Sequence, residues 1–260
     1  MTITEITTEA STGPIGRAAM ETPPGRPRAM SMRKTAYIAG GLYLATFVTS
    51  IPALALKAPV LHHTDFVLGA GSETSVLIAC FLEVLLALSA IGTAVVLYPV
   101  TRRTGRTAAI GFVTSRTLEA SMILVGAIAL LSVVTLRQNA TGADPGLVTT
   151  ARSLVAIHDW TFLLGPSVMS AVNALFLGSV MYRSRLVPRA IPTIGLIGAP
   201  ILLATCTAVF FGAFDQVSGW SFLGALAVAA WELSLGLWLV IKGFRTGAAQ
   251  GSPEPVVAAA

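Results

Sequence analysis

Charged residues and cysteine are both scarce in this sequence. Asp, Glu, Lys and Arg together make up 11% of the 260 residues, whereas soluble domains carry about 25%. This shortage excludes an ordinary soluble domain, and 54% hydrophobic residues with a mean hydropathy of +0.78 indicate an integral membrane protein. The two cysteines, Cys80 and Cys206, lie in separate apolar runs. They exclude a disulfide framework or a zinc cluster and are expected to be packing residues.

The motifs of the common enzyme and cofactor classes are also missing. The sequence has no glycine-rich phosphate loop, no HExxH and no nucleophile elbow. The stretch HHTD (62–65) offers two imidazoles and a carboxylate, but adjacent histidines point apart and no fourth ligand is evident. We therefore expect no metal, no cofactor, no catalytic residue and no nucleic-acid partner. An enzyme is not favoured, because Ser167 and Ser170 are the only nucleophile candidates near His158.

Long apolar runs dominate the chain. A helix needs about 20 apolar residues to cross the roughly 30 Å of hydrocarbon in a bilayer. Six runs satisfy this length: 37–56, 76–97, 108–136, 160–182, 194–214 and 219–241. They predict an all-α fold, an integral membrane bundle of six transmembrane helices within residues 33–245. Residues 1–32 and 246–260 are small and polar, and we expect them to be disordered cytoplasmic tails.

Arginine and lysine are unevenly divided between the two sides of the predicted spans. Thirteen lie on one side: Arg17, Arg26, Arg28, Arg33, Lys34, Arg102, Arg103, Arg106, Arg183, Arg185, Arg189, Lys242 and Arg245. Only Lys57, Arg137 and Arg152 lie on the other side, and Arg116 lies within a span. Because Lys and Arg are enriched in cytoplasmic loops, both termini are predicted to be cytoplasmic, with the bundle in the cell (inner) membrane.

Prolines and small residues suggest where the spans bend and approach one another. Pro52, Pro166 and Pro200 predict kinks and allow a cavity near the outer face. Small residues four apart, such as Gly41 and Ala45, permit close helix contact. Residues 146–157 have the pattern of a short amphipathic helix lying on the membrane.

Four long stretches resemble a known family. They are MRKTAYIAGGLYLATFVTSIPAL (32–54), LYPVTRR (97–103), HDWTFLLGPSVMSAVNALFLGSVMYRSRLVPRAIPTIGLIGAP (158–200) and WELSLGLWLVIKGF (231–244). Over about residues 32–245 the chain resembles the bacterial domain-of-unknown-function 4386 family of multi-pass membrane proteins. The YRSRLVPR turn and the closing WELSLGLWLVIKGF are the most specific parts. The resemblance implies a membrane bundle without an assigned activity.

Four polar side chains inside the predicted spans fall at one depth. A rise of about 1.5 Å per residue places Asn173 and Glu232 about 13 Å from the cytoplasmic ends of their runs. The same estimate places Arg116 and Glu119 at about 12 and 16 Å. A charged side chain near the bilayer centre costs about 2.5–3.5 kcal/mol, so these side chains are expected to face the bundle interior.

Three further polar residues lie nearer the outer face. Glu83 is about 21 Å from the cytoplasmic end of its run, and His158 with Asp159 is predicted at the outer mouth of the fourth span. One interpretation is structural: Arg116 pairs with one of the two inner glutamates or snorkels to the interface. The other is a polar path through both levels, because buried carboxylates and histidine can carry protons.

The sequence therefore supports two functions. The leading one is a membrane protein that transports or senses a proton or a small solute through buried carboxylates. The competing one is a structural or partner-binding membrane protein whose buried charges serve only helix packing. Transport predicts that Glu83 and Glu232 face one continuous cavity, whereas the competing function predicts that both are sealed. The lipid bilayer is the expected partner, with a homo-oligomer or a membrane partner as a further possibility.

Overall fold

The computed structural model describes residues 30–245 apart from 64, 141, 143–144 and 217, so the predicted tails lie almost wholly outside the described residues. All the helices belong to the compact unit Ser31–Ala260. They are α1 (Met32–Leu56), α2 (Ala58–His62), α3 (Glu73–Thr101), α4 (Arg106–Gln138), α5 (Pro145–Phe162), α6 (Ser170–Ser184), α7 (Ala190–Phe210) and α8 (Gly219–Ile241). A 3-10 turn covers Phe66–Leu68, and a π-helical segment, Leu163–Met169, joins α5 to α6. The described residues contain no strand.

Within the described part of the chain, six helices are long and apolar enough to cross a membrane, as predicted. They are α1, α3, α4, the continuous helix built from α5, the π segment and α6, and then α7 and α8. Large apolar side chains such as Val48, Phe81 and Ile128 are more than half exposed on their outer faces. Such faces suit lipid and would be a liability in water, which indicates a multi-pass membrane protein.

The six spans form a ring in chain order. Each span packs against its neighbours in the sequence, and α8 returns to pack against α1. An even number of antiparallel spans places Met32 and Ile241 at the same end of the bundle. We call this end the terminal end and the opposite end, which carries α2 and the start of α3, the loop end.

The fifth span is displaced from its prediction. The apolar run 194–214 predicted the span, but α7 covers Ala190–Phe210. Its end is set by Gly212, whose φ of +74° is a left-handed conformation that terminates helices and favours glycine. Apolarity alone does not report this turn, because the residues that follow are apolar as well.

The fourth span is much longer than predicted. The prediction of a separate amphipathic helix over residues 146–157 was wrong, because that helix continues without a break into the span. Its 39 residues measure about 58 Å at 1.5 Å per residue. At the loop end, Ala151 of α5 packs in one apolar cluster with Phe66 and with Val133 of α4. Arg137 holds this region together by donating hydrogen bonds to four backbone carbonyls, those of Phe66, Gly69, Ala70 and Gly71.

The ring closes through a backbone contact between α1 and α8. A Cβ atom at Gly40 would lie 2.7 Å from the carbonyl oxygen of Gly236 and 2.9 Å from the backbone nitrogen of Val240. Gly41, the residue predicted to allow close approach, faces open space with no atom within 4 Å of its virtual Cβ. The close approach of α1 and α8 therefore depends on Gly40 and not on Gly41.

We predict that Gly40→Ala lowers stability, because the added methyl group must separate two backbones; overpacking of this kind costs about 1–3 kcal/mol. Gly41→Ala is the matched control, and it should leave the melting temperature unchanged or slightly raised, since alanine is the better helix former. Thermal unfolding of both variants in detergent measures the difference. Equal melting temperatures would contradict the α1–α8 contact.

Candidate functional site

A cavity of about 480 Å³ occupies the middle of the ring and is lined by residues from all six spans. It extends from Glu232 to Phe222 along α8, about 15 Å at 1.5 Å per residue. At the loop end its lining includes the exposed His62. Its walls are largely apolar, with Phe47, Leu54, Leu86, Ile123, Phe162, Leu163, Leu202, Val209, Phe222 and Val228 among the lining residues.

The cavity is closed toward the terminal end. Beyond the level of Arg116 and Glu232, the interior is filled by a fully buried apolar cluster. Its largest members are Tyr43, Leu97, Phe112, Leu177, Met181, Trp231, Leu235 and Leu239. None of the described residues that line the cavity lies on the terminal side of that level. The cavity is therefore a blind pocket whose floor is polar.

Arg116 lies at the centre of this floor and is only 1% exposed. Its Nη1 donates a hydrogen bond of 2.8 Å to Oε2 of Glu119. Its Nη2 lies 3.1 Å from Oε1 of Glu232, a charge contact without hydrogen-bond alignment. The guanidinium also stacks 5.2 Å from the ring centre of Tyr43. Arg116 thus contacts both glutamates at once, which matches the ion-pair interpretation and not the alternative that it snorkels to the interface.

Glu119 is held by three donors. Besides Arg116, Asn173 donates through Nδ2 to Oε2 at 2.5 Å, and Ser170 donates to Oε1 at 3.1 Å. The amide oxygen of Asn173 accepts a hydrogen bond from Ser115. The structure therefore brings together the four residues that were predicted at one depth, and this cluster of Arg116, Glu119, Asn173 and Glu232 is called the inner cluster below.

Glu232 differs from Glu119 in its surroundings. No hydrogen bond reaches its carboxylate within the described part of the chain, and its side chain is 14% exposed, against 7% for Glu119. Like Glu119, it lines the cavity. Among the described residues, Arg116 is the only cation that either carboxylate contacts. With all three groups ionised, the inner cluster carries a net charge of −1.

A second buried cluster lies toward the loop end and forms what we call the outer cluster. Lys57, 2% exposed, donates a hydrogen bond of 2.6 Å to Oε1 of Glu83. Its Nζ lies 3.1 Å from Nε2 of His158 and 4.8 Å from the ring centre of Phe162. The structure thus places Glu83 with His158 and Asp159, away from the inner cluster.

The hydrogen bonds of the outer cluster fix the tautomer of His158. An ammonium group only donates hydrogen bonds, so Nε2 accepts from Lys57 and the ring proton is on Nδ1. That proton is donated to Oδ1 of Asp159 at 3.0 Å. Both ring nitrogens are therefore occupied, and His158 is not free to activate Ser167 or Ser170 as a nucleophile. Ser167 itself donates to the carbonyl of Phe162.

The role of Lys57 was not predicted from the sequence, where it was counted among the loop charges because it follows the first apolar run directly. In the structure its side chain lies inside the bundle. The available signal was its position: a lysine one residue beyond a span can extend its long stem along the apolar interior.

The neighbouring residues His62 and His63, at the loop end, line different cavities, as expected of adjacent side chains. His62 lines the central cavity, whereas His63 lines a smaller cavity of about 150 Å³ between the loop and α5. Across the described residues, no group of three or more His, Cys, Asp or Glu side chains is arranged to hold a metal ion.

The π-helical segment brings the fourth span to the cavity wall. Leu163, Pro166 and Ser167 line the cavity, and Pro166 removes one backbone donor from the helix. Gly165 packs against α4 so closely that a Cβ atom there would lie 2.5 Å from Cβ of Met122. π-Helical turns are rare and occur often at functional sites. Here the π-helical segment lies beside the polar floor of the cavity.

A family model covers most of the chain. The family described as "Domain of unknown function (DUF4386)" matches residues 38–243. The chain belongs to this family. The matched residues include all members of the inner and outer clusters, so both lie within the family domain. No curated protein and no solved structure matches the chain.

For the outer cluster we predict that single and paired substitutions have different effects. Lys57→Met or Glu83→Met alone leaves a buried charge without its partner, which typically costs about 3–5 kcal/mol. The double variant removes both charges, so most of the lost stability should return. Thermal unfolding of the wild type, the two single variants and the double variant in detergent gives the coupling free energy between Lys57 and Glu83. Losses that simply add in the double variant would contradict a buried ion pair.

Proposed function

We propose that this protein is a proton-linked carrier of a small solute, with the central cavity as its binding site. The observation that carries the proposal is the floor of that cavity, where one guanidinium faces two carboxylates. A site that combines an apolar cavity with a few convergent polar groups is typical of small-molecule binding.

The charge of the inner cluster supports proton exchange. An uncompensated charge away from water is costly, and either a proton or a bound cation would remove it. Both oxygens of Glu119 already accept hydrogen bonds, from Arg116, Asn173 and Ser170. Glu232 has one charge contact and faces the cavity. Glu232 is thus the carboxylate expected to bind and release the proton.

The shape of the cavity supports a carrier. It reaches the loop end and is closed by apolar packing toward the terminal end. A carrier needs a site that is accessible from one side at a time, near the middle of the membrane. The π-helical segment and Pro200 interrupt two of the spans that line the cavity. Such interruptions provide places where a bundle can bend as access changes sides.

The distribution of basic residues supports an orientation for this carrier. The excess of Arg and Lys at the terminal end fits a cytoplasmic location of both termini. In this orientation, within the cell (inner) membrane, the cavity is reached from outside.

The two clusters favour different roles. Glu83 is paired with Lys57 and does not line the cavity, which fits a structural role. Glu232 lines the cavity and lacks a hydrogen bond among the described residues. The purely structural alternative therefore accounts for the outer cluster, while the inner cluster favours exchange with a solute.

The test uses dicyclohexylcarbodiimide, a small apolar reagent that modifies protonated carboxylic acids in apolar surroundings. We predict a covalent adduct on Glu232, found by mass spectrometry of the membrane-embedded protein, because the reagent enters the cavity and meets the protonated acid. The adduct should decrease as the pH is raised, since the ionised carboxylate does not react.

Glu119 and Glu83 serve as internal controls and should remain unmodified, because both oxygens of Glu119 accept hydrogen bonds and Glu83 does not line the cavity. Asp215→Asn removes an exposed carboxylate outside the cavity and should leave labelling unchanged. Absence of an adduct on Glu232, or equal labelling of all three buried glutamates, would contradict the proposal.

A further inference from the structure

We infer that the solute is a lipophilic organic cation with a single positive charge, which takes the place of the proton on Glu232. The inference rests on the proposed function and adds the chemical class of the solute. It follows from the charge of the cavity floor, the chemistry of the cavity walls and the size of the space between them.

The charge of the solute follows from the inner cluster. Arg116 and Glu119 neutralise each other, so Glu232 contributes an unbalanced negative charge when ionised. One bound monocation restores neutrality as one proton does, and the two therefore compete for the same carboxylate. An anion would meet a floor with excess negative charge, because both terminal nitrogens of Arg116, Nη1 and Nη2, already contact carboxylates.

The ligands available at the cavity floor favour an organic cation over a metal ion. Of the two carboxylates at the floor, only Glu232 is without a hydrogen bond, and no cluster of three metal-ligating side chains occurs among the described residues. Hard cations need several oxygen ligands. An organic cation needs only one counter-charge when apolar walls surround the rest of the molecule.

The cavity walls require an apolar body. Phe47, Leu86, Ile123, Leu202 and Phe222 all line the space above Glu232. Aromatic faces also attract cations, and two of these wall residues are phenylalanines. A solute with several polar groups would leave most of those groups unpaired against these walls.

The hydroxyl groups of the lining offer the solute little. Thr46 donates to the carbonyl of Tyr43 at 2.7 Å, and Thr205 donates to the carbonyl of Leu202 at 2.8 Å. These hydroxyl protons are already used within their own helices. Glu232 therefore supplies the surplus charge that a solute meets at the floor, while Ser50, Gln216 and His62 are further polar residues of the lining.

The dimensions indicate a molecule of drug-like size. Pockets for such ligands have volumes of about 300–1,000 Å³, and this cavity measures about 480 Å³. Its length of about 15 Å along α8 places the cationic group at the closed end and the apolar body toward the loop end.

The test measures binding of tritiated tetraphenylphosphonium to the purified full-length protein by equilibrium dialysis. This cation carries a fixed charge, so any effect of pH arises in the protein. We predict saturable binding of one cation per chain, with about one proton released for each cation bound. Where Glu232 is protonated, affinity should fall about tenfold for each unit that the pH is lowered, because one proton competes for one site.

Matched variants and a matched probe distinguish the effect of charge on binding from the effect of molecular shape. Glu232→Gln should weaken binding at least tenfold and abolish its pH dependence, while Glu232→Asp should retain both in large part. Asp215→Asn should bind like the wild type. Tetraphenylborate, which has the same shape and the opposite charge, should not bind saturably. Thermal unfolding verifies that each variant is folded.

Two results would overturn the inference: absence of saturable tetraphenylphosphonium binding, or equal binding by folded Glu232→Gln protein. Labelling of Glu232 by the carbodiimide distinguishes this failure from that of the proposed function. If labelling occurs but the cation does not bind, the solute class is wrong and proton exchange stands. If neither occurs, both proposals fail.

Discussion

The burial of Arg116 against two glutamates is the interaction on which the rest of the structure depends. A guanidinium in the middle of a membrane bundle must be compensated, and the compensation comes from α4 itself and from α8 across the ring. Asn173 and Ser170 then complete the partners of Glu119 from the fourth span. The polar floor lies where these three spans converge. On one side of it the interior is packed, and on the other the spans enclose the cavity.

The two buried clusters differ in the balance of their buried charges. This difference separates the structural role of one from the binding role proposed for the other. In the outer cluster one ammonium meets one buried carboxylate, and His158 connects this pair to Asp159, whose side chain is 55% exposed. This arrangement fixes the end of α1 to α3 and α5, and its buried charges balance, because the remaining charge, that of Asp159, lies on an exposed side chain. The inner cluster has one carboxylate more than it has cations, and the surplus carboxylate faces the cavity. Only the inner cluster therefore has a surplus buried charge that a bound proton or cation would neutralise.

Much of the fold and part of the site could be predicted from the sequence, for a physical reason. Spans are visible because each must be apolar over a fixed length, and helical rise converts residue number into depth, which placed Arg116, Glu119, Asn173 and Glu232 together. The cavity could not be predicted, because it depends on how six helices close into a ring. Lys57 was missed because a residue at a helix end can turn inward or outward, and only the packing around it decides which.

The proposed function requires that the level of Glu232 be reached from outside through the loop end. It is tested most directly by labelling single cysteines in intact cells with a membrane-impermeant, cationic methanethiosulfonate, after Cys80 and Cys206 are replaced by alanine. Ala229 lines the cavity one turn from Glu232, whereas its neighbour Ala230 is exposed on the outer face of α8. The account predicts that Ala229→Cys is modified and Ala230→Cys is not. Modification of Ala229→Cys only in inside-out vesicles, or equal labelling of both, would contradict it.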